Sequence, residues 1–135
     1  KLPLSGGEAV KAYIAELRGD VEALRNSNAD GFGRTADKVS AALDDVEATT
    51  EYLMAALGGG KMQEALAGAT PYLRLFSLAA GGAYLIRGAL AGQDTNRIAL
   101  ARFFAENLID ETAALKNRVI EGADSLEAAA AALVI

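Results

Sequence analysis

The chain has 135 residues, which suits a single domain with one hydrophobic core. Hydrophobic residues make up 52% of it but aromatic residues only 6%, so the apolar content is mainly alanine and aliphatic side chains, which favour packing of helix on helix. There is no cysteine, which excludes a disulfide framework and a thiolate metal site and fits the cytoplasmic location that we expect. A net charge of −5 disfavours nucleic acid and anionic membranes as partners.

The first two predicted helices are delimited by a capping motif and by glycine. Ser5 and Glu8 have the spacing of a capping box, and the helix that they open should run to about Ser27. The second helix should begin near Thr35 and end at the three glycines 58–60. The apolar residues with helical spacing are Val10, Ile14, Leu17, Val21 and Leu24 in the first helix, and Val39, Leu43, Val46, Leu53 and Leu57 in the second.

The third predicted helix starts near Lys61 and contains a proline. Because Pro71 has no N–H to donate and clashes with the preceding turn, we expect a kink there, or a restart with Thr70 as the cap. The most apolar stretch of the chain follows, but Arg74 precedes it and Arg87 interrupts it. We therefore expect no transmembrane span.

The fourth predicted helix begins at Asp94 or Thr95, either of which can cap it, and ends at Gly122. Its heptad seam consists of Ile98, Ala101, Ala105, Leu108, Thr112, Leu115 and Val119. A last short helix should start near Asp124, at a second capping motif, and continue to the end of the chain.

Short connections between long amphipathic helices force neighbouring helices to run antiparallel. The sequence therefore predicts an all-α fold, an antiparallel up-down-up-down four-helix bundle with a short fifth C-terminal helix. Residues 1–135 should form one domain.

Residue types argue against a catalytic or metal centre in this chain. It has no histidine, so the usual di-iron, haem and activated-hydroxyl arrangements cannot form. Four acids, Asp37, Asp44, Glu47 and Glu51, fall along one side of the second helix, where a solvated face is the expected structure. We predict no catalytic, cofactor-binding or metal-binding residue.

Four residues are candidates for contact with another domain. Arg74 and Arg87 lie among apolar neighbours, so each needs an anionic partner, either within the bundle or on another surface. Phe103 and Phe104 are adjacent and cannot both face one core, so one of them should point into a groove or an interface.

Two segments carry a resemblance to a known family. The first is Pro71-Tyr72-Leu73-Arg74-Leu75-Phe76 followed by Ala80-Gly81-Gly82, and the second is Arg102-Phe103-Phe104-Ala105-Glu106-Asn107-Leu108. Together with both ends of the chain, these segments resemble the extra C-terminal domain of acyl-CoA dehydrogenase-like flavoproteins, in the 3-methylmercaptopropionyl-CoA dehydrogenase-like branch. The chain would then be a C-terminal part of a larger protein.

The resemblance implies a parent enzyme that oxidises an acyl-CoA thioester to the 2,3-enoyl-CoA, with FAD as hydride acceptor and a glutamate as base. In such enzymes both belong to the preceding domains, so neither Glu106 nor Glu111 takes the catalytic role, and this chain should hold no cofactor. The expected partners are the remaining domains of the parent chain, in a parent that forms a homo-oligomer.

Two other functions remain open at this point. The chain could be a stand-alone helical interaction or dimerisation module without catalysis. The related alkylation-response flavoproteins use a basic C-terminal region associated with DNA, but a pI of about 4.7 argues against that version. Clustering of Arg18, Arg25 and Arg34 on one surface would support DNA binding.

Overall fold

The computed structural model of the protein describes residues 7–134, and every regular element within that range is an α-helix. The predicted all-α class is therefore confirmed. The helices are α1 Glu8–Asn26, α2 Thr35–Gly58, α3 Met62–Gly92, α4 Thr95–Asn107 and α5 Glu111–Leu133.

The long helix α3 is the centre of the fold, since it packs against each of the other four helices. Its residues Leu75, Ala79, Ala83 and Ile86 are completely buried. By length and composition α3 could also cross a membrane, with a mean hydropathy of 1.3 over its most apolar 18 residues. One third of that window is buried inside the fold.

The predicted bounds of the first two helices agree closely with α1 and α2. Ile14, Leu17, Val21 and Leu24 of α1 are buried. Ser5 lies outside the described residues, so its capping box is not tested, and Gly7 occupies the cap position of α1. Both helices pack on α3 as well as on each other.

Pro71 does not interrupt α3. The helix runs continuously through it from Met62 to Gly92, so the predicted restart at Thr70 is wrong. A proline inside a helix removes one intrahelical hydrogen bond. Packing of α3 on four neighbours offsets this loss.

The predicted fourth helix is broken at a place that the heptad seam did not indicate. Asp94 caps α4 as expected, its side chain accepting from the Asn96 N–H at 2.9 Å, but α4 ends at Asn107. In the turn that follows, Leu108 is 45% exposed and its neighbour Ile109 is buried instead. The turn thus moves the inward position of the seam by one residue.

The predicted stop at Gly122 is also wrong, because α5 continues through it to Leu133. Asp124 and Ser125, expected to cap a separate helix, lie inside α5, and the Ser125 hydroxyl donates to the Gly122 carbonyl. One glycine costs a helix only about 1 kcal/mol relative to alanine. The strong helix formers that follow, residues 128–132, are all alanine.

The predicted short fifth helix is therefore wrong: α5 is long, and the break in the predicted fourth helix lies before it, between Asn107 and Glu111. Both α4 and α5 pack on α3 and on α2. The up-down-up-down alternation of helix directions stays a prediction.

Candidate interdomain surface

Arg74 has its anionic partner within the bundle. Its Nε and Nη2 donate to the two carboxylate oxygens of Glu111 at 2.7 and 2.8 Å, which joins α3 to the start of α5. The Arg74 side chain remains 60% exposed. It is therefore accessible to another domain without breaking this ion pair.

Arg87 is paired in the same way with α1. Its Nε and Nη2 each donate to an Asp20 carboxylate oxygen at 2.9 Å, and Glu16 lies 3.4 Å from Nη2. The guanidinium also lies 5.0 Å from the centre of the Tyr84 ring, an orientation that adds a cation–π attraction. The structure thus brings Arg74 and Arg87 to opposite sides of α3, and they form no common site.

The two adjacent phenylalanines separate as expected. The Phe104 ring packs against α3 so closely that a Cβ on Gly81 would lie 3.3 Å from Phe104 Cζ. Phe103 points away from the core and is 58% exposed. Phe104 therefore belongs to the contact between α3 and α4, and Phe103 to the outer surface.

Phe103 is one of several large apolar side chains that are exposed on α3, on α4 and directly after α4. Leu100 precedes it by three residues on α4, and both are more than half exposed. Leu73 of α3 and Leu108, which directly follows α4, are exposed as well, at 69% and 45%. We call Leu73, Leu100, Phe103 and Leu108 the α3–α4 face.

The acids of α2 are partly neutralised by arginines of α1. Arg18 Nη2 donates to Asp44 at 2.8 Å and to Glu47 at 2.7 Å, and Arg25 lies 3.3 Å from Asp37. These arginines are therefore engaged in ion pairs across helices. Such pairing opposes phosphate binding by Arg18 and Arg25.

Glu106 and Glu111 are structural anions in this fold. Glu106 accepts from the backbone N–H of Arg34 and from Arg102, and these hydrogen bonds hold the pKa of its carboxyl below the usual 4.5. The bonds from Arg74 lower the pKa of Glu111 in the same way. A lowered pKa makes a carboxylate a weaker base, which is the opposite of what proton abstraction requires.

Two surface pockets illustrate the charge of the described surface. The pocket between α1 and α2, of about 270 Å³, has Lys11 as well as Glu47 and Glu51 in its wall. A wider groove of about 570 Å³ between α3 and α5 has Glu64 and Glu127 in its lining. Within residues 7–134, no group of three or more acids could hold a metal ion.

Some residues of the exposed surface escaped the sequence prediction. Leu100 was not singled out, although its spacing from Phe103 is a helical signal. Leu108 was placed in the core seam, but it lies on the surface because the α4–α5 turn buries Ile109 in its place. No local pattern marks that turn.

Comparison with known proteins places the chain in a family. A family described as "Acetyl-CoA dehydrogenase C-terminal like" matches residues 8–130. Neither the curated proteins nor the solved structures gave a match. Because the family match covers nearly the whole chain and coincides with the five helices, the chain belongs to the acetyl-CoA dehydrogenase C-terminal-like family.

Proposed function

We propose that the chain is an accessory, non-catalytic domain of an FAD-dependent acyl-CoA dehydrogenase, and that it packs on the catalytic body through the α3–α4 face. The family match is the observation that carries this proposal. The parent enzyme would oxidise acyl-CoA to 2,3-enoyl-CoA and belong to the 3-methylmercaptopropionyl-CoA dehydrogenase-like branch. A cytoplasmic location is part of the same proposal.

The composition of the α3–α4 face supports a docking role. Leu73 is 69% exposed, and Leu100 and Phe103 are each about 60% exposed on the neighbouring helix. Exposed large apolar side chains on neighbouring helices are a feature of interaction sites when they form a common patch. Arg74 stands at its edge, so its ion pair with Glu111 can serve as the polar rim of the contact.

FAD in the parent would accept the hydride from the acyl thioester. In this proposal the flavin and its binding residues belong to the rest of the parent chain. The role left to this domain is to shield or position a surface of that body.

The test is binding between this chain and the separately expressed remainder of the parent protein, measured by isothermal titration calorimetry. We expect Phe103→Ser to weaken binding at least tenfold without changing the unfolding temperature, because Phe103 is exposed. Glu51→Ser, at an exposed position of α2 outside this face, is the control. Equal affinity for wild type and Phe103→Ser would refute docking through the α3–α4 face.

The alternative function is a stand-alone helical interaction or dimerisation module, which the same exposed apolar surface would also serve. The reading frame upstream of Lys1 in the source DNA separates the two. A flavin-binding acyl-CoA dehydrogenase body ending shortly before Lys1 supports the accessory domain. A stop codon with a start site close to Lys1 would leave the interaction module.

A further inference from the structure

The second half of α5 has no packing partner among the described residues. From Asp124 to Val134 every residue is exposed, and we call this segment the α5 tail. A helix in a globular protein normally buries one stripe against the core. Leu126 is 58% exposed, and Leu133 and Val134 are each 80% exposed.

The charge distribution along the α5 tail is uneven. Asp124 and Glu127 lie in its first half, whereas residues 128–134 carry no charge and consist of five alanines, Leu133 and Val134. The uncharged half exposes Leu133 and Val134, each at 80%, so their burial against another surface would be favourable.

An open groove lies beside the first half of the α5 tail. Its volume is about 570 Å³, and its apolar lining includes Met62 and Ala67 of α3 and Leu126 and Ala130 of α5. Its polar lining consists of Glu64, Glu127, Lys61 and Gln63. The groove therefore suits an uncharged apolar helix better than an anionic one.

We propose that two copies of the chain associate through their α5 tails, which run antiparallel so that the uncharged half of each tail lies in the groove of the other copy. Residues 128–134 have the composition that the groove fits. Their alanines allow the two helix backbones to approach closely, which increases dispersion contacts. The contact is the same on both copies, so it closes with two-fold symmetry.

Charge favours the antiparallel direction. In a parallel pair, Asp124 and Glu127 of one copy would lie against the same acids of the other copy, and like charges at close range are unfavourable. The antiparallel pair places the acidic half of each tail beside the neutral half of its partner. Lys61 in the groove lining further reduces the local negative charge.

The area of this contact indicates a weak, reversible dimer. The seven residues 128–134 span about 10 Å, and half of a cylinder about 11 Å across and of that length has roughly 180 Å² of surface. With a comparable area from the groove wall, two copies together bury roughly 700 Å², which is the size of a weak, transient contact. We expect a dissociation constant on the order of 10–100 µM.

Sedimentation velocity measures this directly on the 135-residue chain, from roughly tenfold below to tenfold above the expected dissociation constant. We expect a concentration-dependent monomer–dimer equilibrium that Leu133→Glu weakens at least tenfold. Leu133 is 80% exposed, so the variant keeps the fold. Leu100→Glu, on the α3–α4 face, is the control that should leave the equilibrium unchanged.

A wild-type chain that stays monomeric throughout this range would overturn the proposal. So would a Leu133→Glu variant that dimerises like wild type, or a Leu100→Glu variant that abolishes dimerisation. The last outcome would move the self-contact to the α3–α4 face.

Cross-linking tests the direction of the helices, because the chain has no cysteine of its own. Ala130→Cys lies near the two-fold axis and should form an intermolecular disulfide, whereas Asp124→Cys should form little. Efficient cross-linking of Asp124→Cys would indicate parallel tails and refute the proposed arrangement.

The dimer does not depend on the accessory-domain function. Binding of the catalytic body tests the α3–α4 face, and sedimentation of the chain alone tests the α5 tail. If Leu133→Glu weakens binding of the catalytic body while the chain alone is monomeric, that body covers the tail and the dimer proposal fails.

Discussion

Replacing Gly82 by alanine should destabilise the protein, although alanine is the better helix former. Gly82 lies in the middle of α3, where a Cβ would come within 2.5 Å of Ile109 Cδ1 and 2.9 Å of Val39 Cγ2. Gly88, two turns further along the same helix, offers a matched control, because a Cβ there meets no atom within 4 Å. The comparison isolates packing from helix propensity.

The magnitude follows from two opposing terms. Either substitution gains about 1 kcal/mol of helix propensity. Overpacking at Gly82 costs about 1–3 kcal/mol, since the Ile109 side chain can move at its far end but the β-branched Val39 is stiff. We therefore expect Gly88→Ala to be more stable than Gly82→Ala by about 1–3 kcal/mol, or roughly 3–10 °C in unfolding temperature.

Thermal and urea unfolding, followed by circular dichroism at the helix band, measure this difference. The dependence of the unfolding free energy on urea should be the same for both variants, since the surface exposed on unfolding is unchanged. Shortening Ile109 to valine in the Gly82→Ala background should recover part of the loss, because it removes the Cδ1 atom nearest the new methyl group. A Gly82→Ala protein as stable as Gly88→Ala would refute the close approach of α3 to its neighbours.

Three further predictions concern an acid, a phenol and the adjacent aromatic pair. Glu106→Gln should reduce the loss of stability on acidification below about pH 4.5. The pKa of Glu106 is lowered in the folded state, so its carboxylate stabilises the fold above that pH and stops doing so as it becomes protonated. The unfolding temperature measured as a function of pH tests this. Tyr72→Phe should cost about 1 kcal/mol in urea unfolding, since it removes a buried hydroxyl hydrogen bond of 2.7 Å to α2. Phe104→Ala should lower the free energy of unfolding by about 1–3 kcal/mol, whereas Phe103→Ala should change it by less than about 0.5 kcal/mol.

Each of these predictions has its own control. Glu121→Gln changes an exposed acid of α5 and serves as the control. This variant should lose stability below about pH 4.5 as wild type does. Burial raises the pKa of Tyr72, so wild type should lose stability as the pH rises above 10, and the phenylalanine variant should lose less. Equal destabilisation by the two alanine substitutions at 103 and 104 would contradict the packing of Phe104 on α3.

The candidate surface was only partly predictable. That Phe103 and Phe104 must separate followed from their adjacency on one helix, and the structure decided which one faces out. The need of Arg74 and Arg87 for anionic partners followed from their apolar neighbours. Identifying Glu111 and Asp20 as those partners required the arrangement of α3 against α5 and α1, since these residues lie 37 and 67 positions apart in the chain.

By itself the sequence determined the helical class, the bounds of α1 and α2 and the start of α4 at Asp94 or Thr95, because helical spacing, capping side chains and glycines act within a few residues of one another. Tertiary packing decided the continuity of α3 through Pro71 and the turn that buries Ile109. It also decided the exposure of the α5 tail. In each case the outcome depends on whether a distant helix is available to cover the segment, and no local pattern carries that information.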